Sequence, residues 1–186
     1  MASIIKVDTI QNSSGTDNWY PDPPRFFVGL ISGITDLAEM TSHTVPLNSI
    51  QLDTANAFNT TNFWYVIPET GCYWISGAVI IDEVSGGVLR DAIGWIEIST
   101  NSGSTWTDLL NSGFRFNSND SEGATLTMSG VHELTANTLI RLRAFVNNTD
   151  SSTYAIRPDT YAFNTAAAMS YTNSGSGTHL TGYRIA

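Results

Sequence analysis

The chain has 186 residues, enough for one domain or one domain with an appended arm, burying roughly 70% of its unfolded surface. Its net charge is −9, with Lys6 as the single lysine beside seven arginines, so a basic surface that neutralises phosphates, and with it nucleic-acid binding, is not expected. Charged residues make up only 13% of the chain, below the usual share of about 25%, while Asn, Ser and Thr supply about a third, so the surface is polar but weakly charged. No apolar run approaches the ~20 residues that span a bilayer, and residues 1–8 contain no uninterrupted apolar stretch, so neither membrane insertion nor an export signal is expected. Cys72 is the only cysteine; it follows Gly71 and is expected to be a small buried apolar residue, with no disulfide to hold the fold.

Residues 1–25 differ from the rest. Ile4, Ile5, Val7 and Ile10 outline one strand, residues 11–17 are a turn cluster, and Trp19 and Tyr20 lead into Pro21, Pro23 and Pro24, which favour extended backbone. This segment reads as an arm and linker. It is either a partly ordered tail or a docking segment that adds a strand or hairpin to a partner.

Residues 26–186 read as the globular domain, built from short strand candidates at the spacing of a sandwich. Residues 26–31 are the first, and 44–52 the second, alternating less cleanly around Pro46. Between them, residues 35–40 can make one helical turn with Thr35 as its cap. Residues 61–82 then encode strand, corner and strand in one run, with Pro68 and Gly71 as punctuation. The apolar stretch after Gly71 is too continuous for a strand wetted on one face, so it is expected to be covered on both sides, on one of them by another copy of the chain.

Residues 89–99 are the next strand, joined by a turn at 101–103 to 104–110 as a hairpin. A short piece at 114–116 precedes a polar loop at 117–123. Residues 125–134 alternate, and 138–146 alternate well, with Arg141 and Arg143 on the face opposite Ile140 and Leu142. A turn cluster at 147–152, an ambiguous segment at 162–171 weighted toward strand or loop, and a closing strand at 178–186 complete the chain. About ten strands with hardly any helix make an all-β, antiparallel β-sandwich, with a jelly roll as the specific expectation.

Chemistry is sparse. His43, His132 and His179 are scattered with no partner at metal-ligand spacing, and are expected to be structural or surface residues. No G-x-S-x-G nucleophile elbow is present, Gly175 to Gly177 lies in a Ser/Gly turn with no apolar strand leading into it, and no pair of acids can be placed as a glycosidase pair, so no enzyme activity is expected. Asp120 with Glu122, and Asp150 with Asn147 and Asn148, are oxygen-rich enough for calcium but read first as ordinary turn residues, so no cofactor is expected. Trp95, Trp106 and the Trp19–Tyr20 pair are the aromatics expected to be partly exposed, as subunit interface or as platforms for sugars.

The spacing Tyr65-x-x-Pro68-x-x-Gly71-x-Tyr73-x-Ile75 resembles the signature of the globular head of the first complement component and the related tumour necrosis factor fold. Phe58 with Asn59, the run from Leu134 to Leu142, and Leu180, Gly182, Tyr183 and Ile185 resemble further parts of that pattern, so the likeness covers residues 26–186. Ile75 and Leu180 stand where the family has aromatics, and Ala136 with Asn137 where it has Gly-Asp. The resemblance implies a compact homotrimer in which the Gly71 strand and the C-terminal strand face the threefold axis. Tyr65, Pro68, Gly71, Tyr73 and Ile75 would then belong to the sandwich core, and Trp74, Ser76, Ala78, Leu180 and Gly182 to the trimer interface.

In place of a collagen repeat, residues 4–15 are similar to the opening of many tailed-phage structural proteins, marine and cyanobacterial phages above all. The resulting expectation is a non-enzymatic virion protein, assembled in the host cytoplasm and displayed on the particle exterior. Ile4, Ile5, Val7, Ile10, Trp19 and Tyr20 would dock it onto other virion proteins of the capsid or tail. Two roles stay open. One is a capsid decoration, cement or short appendage protein; the other is a tail-fibre or spike tip that recognises a host-surface glycan or protein. A secreted or cell-surface lectin is the alternative from another class.

Overall fold

Alternation between apolar and polar residues, with a period of two, decides which side of each strand is buried. The computed structural model describes residues 23–34, 37, 40–83, 89–115, 123–148, 154–158 and 177–185. Among them are twelve strands and no helix: β1 (Arg25–Gly29), β2 (Ser42–Thr44), β3 (Ser49–Asp53), β4 (Phe58–Asn59), β5 (Trp64–Val66), β6 (Gly71–Glu83), β7 (Leu89–Ser99), β8 (Thr107–Arg115), β9 (Gly123–Leu134), β10 (Leu139–Asn148), β11 (Tyr154–Ile156) and β12 (His179–Arg184).

They form two antiparallel sheets. In the first, β9 pairs with β6 along its whole length, β12 and β11 pair with residues 73–78 and 81–83 of β6, and β1 and β3 follow beyond β12. The second runs β4, β5, β10, β7, β8, with β2 pairing residues 143–145 of β10 beyond the short β5. The chain is an all-β jelly-roll sandwich, as its sequence predicts.

The core lies between the sheets. Tyr73, Ile75, Val79 and Ile81 of β6 meet Ile96 of β7 and Ile140, Leu142, Ala144 and Val146 of β10, all buried. Tyr65 is fully buried and stacks on Phe26 with ring centroids 3.9 Å apart. Burial first, then the nearby Asp53 carboxylate, raises the Tyr65 hydroxyl above the usual phenol range. That hydroxyl is buried without a hydrogen-bond partner. Tyr65→Phe removes an unsatisfied polar atom and keeps the stacked ring, so it should leave stability unchanged or raise it by up to about 1 kcal/mol, measured by chemical denaturation.

The corner between β5 and β6 is stitched to the β9–β10 turn. Ile67 N–H donates to Thr138 O and Asn137 N–H to Ile67 O, both at 2.8 Å, and Ala136 N–H donates to Thr70 Oγ1 at 3.0 Å. Asn137 takes φ 68, a left-handed conformation that Asn tolerates in place of glycine. The Tyr73 hydroxyl reaches back to Glu69 O at 2.8 Å.

Several sequence expectations need correction. The stretch 44–52 is two strands, because Val45 and Leu47 turn inward and Val45 N–H pairs with Leu142 O instead of continuing the β3 ladder. Asn147 and Asn148 end β10 rather than opening a turn, paired with Asp91 and Leu89. Pro68 and Gly71 are only half-buried, because the corner lies at the open end of the sandwich. Cys72 is also half-buried, one step out of phase with Tyr73 and so on the outer side of β6. The helical turn expected at 35–40 falls mostly, and the segment at 162–171 wholly, outside the described residues.

Candidate functional site

The outer face of the first sheet follows from the register. Trp74 of β6 lies opposite Val131 of β9 and Tyr183 of β12; Ser76 lies opposite Ser129 and Thr181; Ala78 lies opposite Thr127 and His179. Directly paired residues share a face, so these positions form three rows across the sheet. The first row is continuous apolar surface, with Val131 56% and Tyr183 46% exposed and the Trp74 and Tyr183 rings 5.5 Å apart. Phe27 on β1 faces the same way, stacks on His179 at 5.2 Å, and lies opposite exposed Leu52 of β3.

Two hydroxyls of this face are satisfied within the chain. Ser76 Oγ donates to Met128 O at 3.1 Å and Thr181 Oγ1 to Phe26 O at 2.8 Å. Of the seven large apolar side chains exposed among the described residues, all but Met40 lie in strands of this sheet or within two residues of their ends: Ile31, Ile50, Leu52, Val131, Tyr183 and Ile185. Scattered exposed apolar residues are ordinary, whereas Val131, Trp74, Tyr183, Phe27 and Leu52 gathered on one outer face mark an interaction surface; Ile50, paired with buried Val28, is exposed on the other side at the sheet edge.

Trp74, Ser76 and Ala78 therefore lie on the outer face, Ala78 largely covered by its neighbours. Leu180 and Gly182 do not. Leu180 pairs with Gly77 and Gly182 with Ile75, which places both on the core face, and Leu180 is fully buried there. Their neighbours His179, Thr181 and Tyr183 carry the outer face instead. A Cβ on Gly182 would stand 2.6 Å from Ile75 Cδ1, 2.9 Å from Phe26 Cε1 and 2.9 Å from the Trp74 carbonyl oxygen. The two side chains can shift, but the backbone oxygen cannot shift without opening the β6–β12 pair. Gly182→Ala should cost about 1–3 kcal/mol, seen as a lowered melting temperature.

The outer face of the second sheet has a different chemistry. Arg141 Nη2 and Nε meet Glu97 Oε2 at 2.7 and 2.8 Å, and Arg143 Nη1 stands 3.6 Å from Oε1. The Arg141 guanidinium lies 3.8 Å over the Trp106 ring, which packs against Trp64 at 5.9 Å and donates from Nε1 to Gly103 O. Next along β7 and β10, Trp95 meets Phe145 edge-on at 6.3 Å. None of the four described tryptophans belongs to the buried core, so each large indole is spent on an outer face.

The arm residues Ile4, Ile5, Val7, Ile10, Trp19 and Tyr20, and the carboxylates Asp120, Glu122 and Asp150, lie outside the described residues. Among the described residues no group of three or more His, Cys, Asp or Glu is placed to hold a metal, and no helix is long and apolar enough to cross a membrane. His43 is half-buried in β2, and His132 lies on the core side of β9 with a buried, unpartnered Nε2.

No family model matches the sequence, and no curated protein matches it. Solved structures do. The chain is similar to the globular domain of zebrafish complement 1qA protein, at 12% identity and TM-score 0.55, over 89% of this chain and 98% of that one. It is similar to Eiger TNF from S. frugiperda, at 11% identity and TM-score 0.58, over 88% and 94% of the two chains. Murine APRIL matches at 11% identity and TM-score 0.50, over 73% of this chain and all (100%) of that one. At such identities the likeness is one of fold: this chain has the jelly roll of complement-head and tumour necrosis factor domains.

Proposed function

We propose that the chain is a non-enzymatic structural protein whose jelly-roll head, residues 26–186, assembles as a homotrimer through the outer face of its first sheet. It serves on the exterior of a bacteriophage virion as a decoration, cement or short appendage protein, docked by the arm of residues 1–25. The observation that carries assembly is the apolar row of Val131, Trp74 and Tyr183 with Phe27 and Leu52 beside it. A face of this kind is stable in water when another protein surface covers it, and obligate interfaces commonly bury more than roughly 2,000 Å2. Such a covered row also accounts for Trp74 on the outer side of the largely apolar run after Gly71.

The virion assignment rests on the opening residues, whose similarity to tailed-phage structural proteins supplies both a location and an anchor. Sedimentation velocity at micromolar concentration should give a trimer; a stable monomer overturns the assembly. Purified phage particles should carry the chain on their outer surface in immunogold electron microscopy. Ile5→Asp with Ile10→Asp in the arm should leave the trimer intact and remove it from particles; unchanged loading would place the anchor elsewhere.

A further inference from the structure

We propose that the open cleft on the outer face of the second sheet binds a neutral saccharide. The cleft measures about 680 Å3, within the ~300–1,000 Å3 range of small-molecule sites. It lies within one protomer and on the other sheet from the proposed trimer interface, so it stands whether or not the trimer forms.

The register explains why a cleft opens here. On β8, Asn111, Gly113 and Arg115 lie opposite Trp95, Ile93 and Asp91 of β7. Gly113 contributes no side chain, so a gap separates Asn111 from Arg115, which are four residues and roughly 13 Å apart along the strand. Ile93 and Phe145, paired across β7 and β10, form an apolar floor below that gap. Met40, 64% exposed, forms a lip. It is held at φ 56, unusual for a bulky side chain, and its N–H is tied to Val146 O at 3.1 Å.

The wall chemistry selects the ligand. The Asp91 carboxylate accepts from Asn147 Nδ2 at 2.7 Å, faces Arg115 Nε at 3.2 Å, and has Arg90 Nε at 4.0 Å. Arg115 balances the Asp91 charge, and Arg90, 44% exposed, stands at the limit of an ion pair, so the carboxylate offers no cation site. What remains is a set of polar groups above an aromatic and aliphatic floor: the exposed Asn111 amide, the Asn147 amide held on Asp91, and the remaining lone pairs and N–H groups of the Asp91–Arg115 pair. A pyranose presents the complement, an apolar C–H face for Phe145 and a rim of hydroxyls that both donate and accept. A lipid or purely apolar peptide would leave the wall groups unpaired, at a cost for each.

The test uses the intact protein on a printed array of neutral, sialylated and sulfated glycans, followed by calorimetry with the best neutral glycan. Saturable binding is expected, weakened roughly tenfold, or about 1.4 kcal/mol, by Asn111→Ala and by Phe145→Leu. Asn111 is exposed, so its replacement leaves the fold intact and keeps the result interpretable. Calorimetry reads affinity per site, so a failure of trimer avidity is distinguished from a failure of the cleft. No retained neutral glycan, retention of charged glycans alone, or neutral binding indifferent to both substitutions each overturns the proposal.

Discussion

Trp74→Arg should convert the proposed trimer to a folded monomer. Trp74 occupies the middle of the apolar row on the outer face, between Val131 and Tyr183, and packs against the Tyr183 ring. In an isolated protomer an arginine there points into water and costs little. In the assembled trimer it buries a charge against two other apolar faces with no anion on the same row, a penalty of about 3–5 kcal/mol for each copy, repeated three times. The expected result is a monomer by sedimentation at concentrations where the parent is trimeric, with an unchanged far-ultraviolet spectrum and a melting temperature that no longer rises with concentration.

Tyr73→Arg makes the control. Its side chain is fully buried between the sheets one residue away, so it should unfold the protein outright. An intact trimer in Trp74→Arg would mean that the interface lies elsewhere.

Much of the fold is legible in the sequence where a strand is long enough to carry its own alternation. β7 spans the predicted 89–99, and in β10 the inward Ile140 and Leu142 alternate with outward Arg141 and Arg143 as expected. The long strand after Gly71 is legible too, because its aromatic and β-branched residues mark the central strand of a sheet.

The pieces that are not legible are those set by partners. β11 is three residues, all buried, and β4 only two; no period can be counted in either. The closing strand alternates visibly, but whether Leu180 or His179 points inward depends on the β6–β12 register, fixed by the room that Gly77 and Gly182 leave for core side chains. An alternation read without that register runs one residue out of phase, and a one-residue slip exchanges faces. The same limit hides Tyr183, Val131 and Phe27 from the candidate interface, and hides the gap at Gly113, which exists only once β8 is laid against β7.

Glu97→Ala should be among the most destabilising single changes on either outer face. Glu97 is 9% exposed, and it is the carboxylate shared by Arg141 and Arg143 across the β7–β10 pair. Arg143 is held further by Nη2 to the Ser42 carbonyl oxygen at 2.8 Å and to its hydroxyl, so it cannot swing out to water without breaking the β2 contact. Arg141 lies over the Trp106 ring and is similarly committed. Removing the carboxylate leaves two largely buried guanidinium groups side by side without an anion, at a cost of about 3–5 kcal/mol. Because both cations then repel, adding Arg141→Ala should recover part of the loss, and a double-mutant cycle by urea denaturation should show a coupling of roughly 1–3 kcal/mol. Additive losses would mean that Glu97 acts through its packing alone, and that Trp106 rather than the carboxylate holds Arg141 in place.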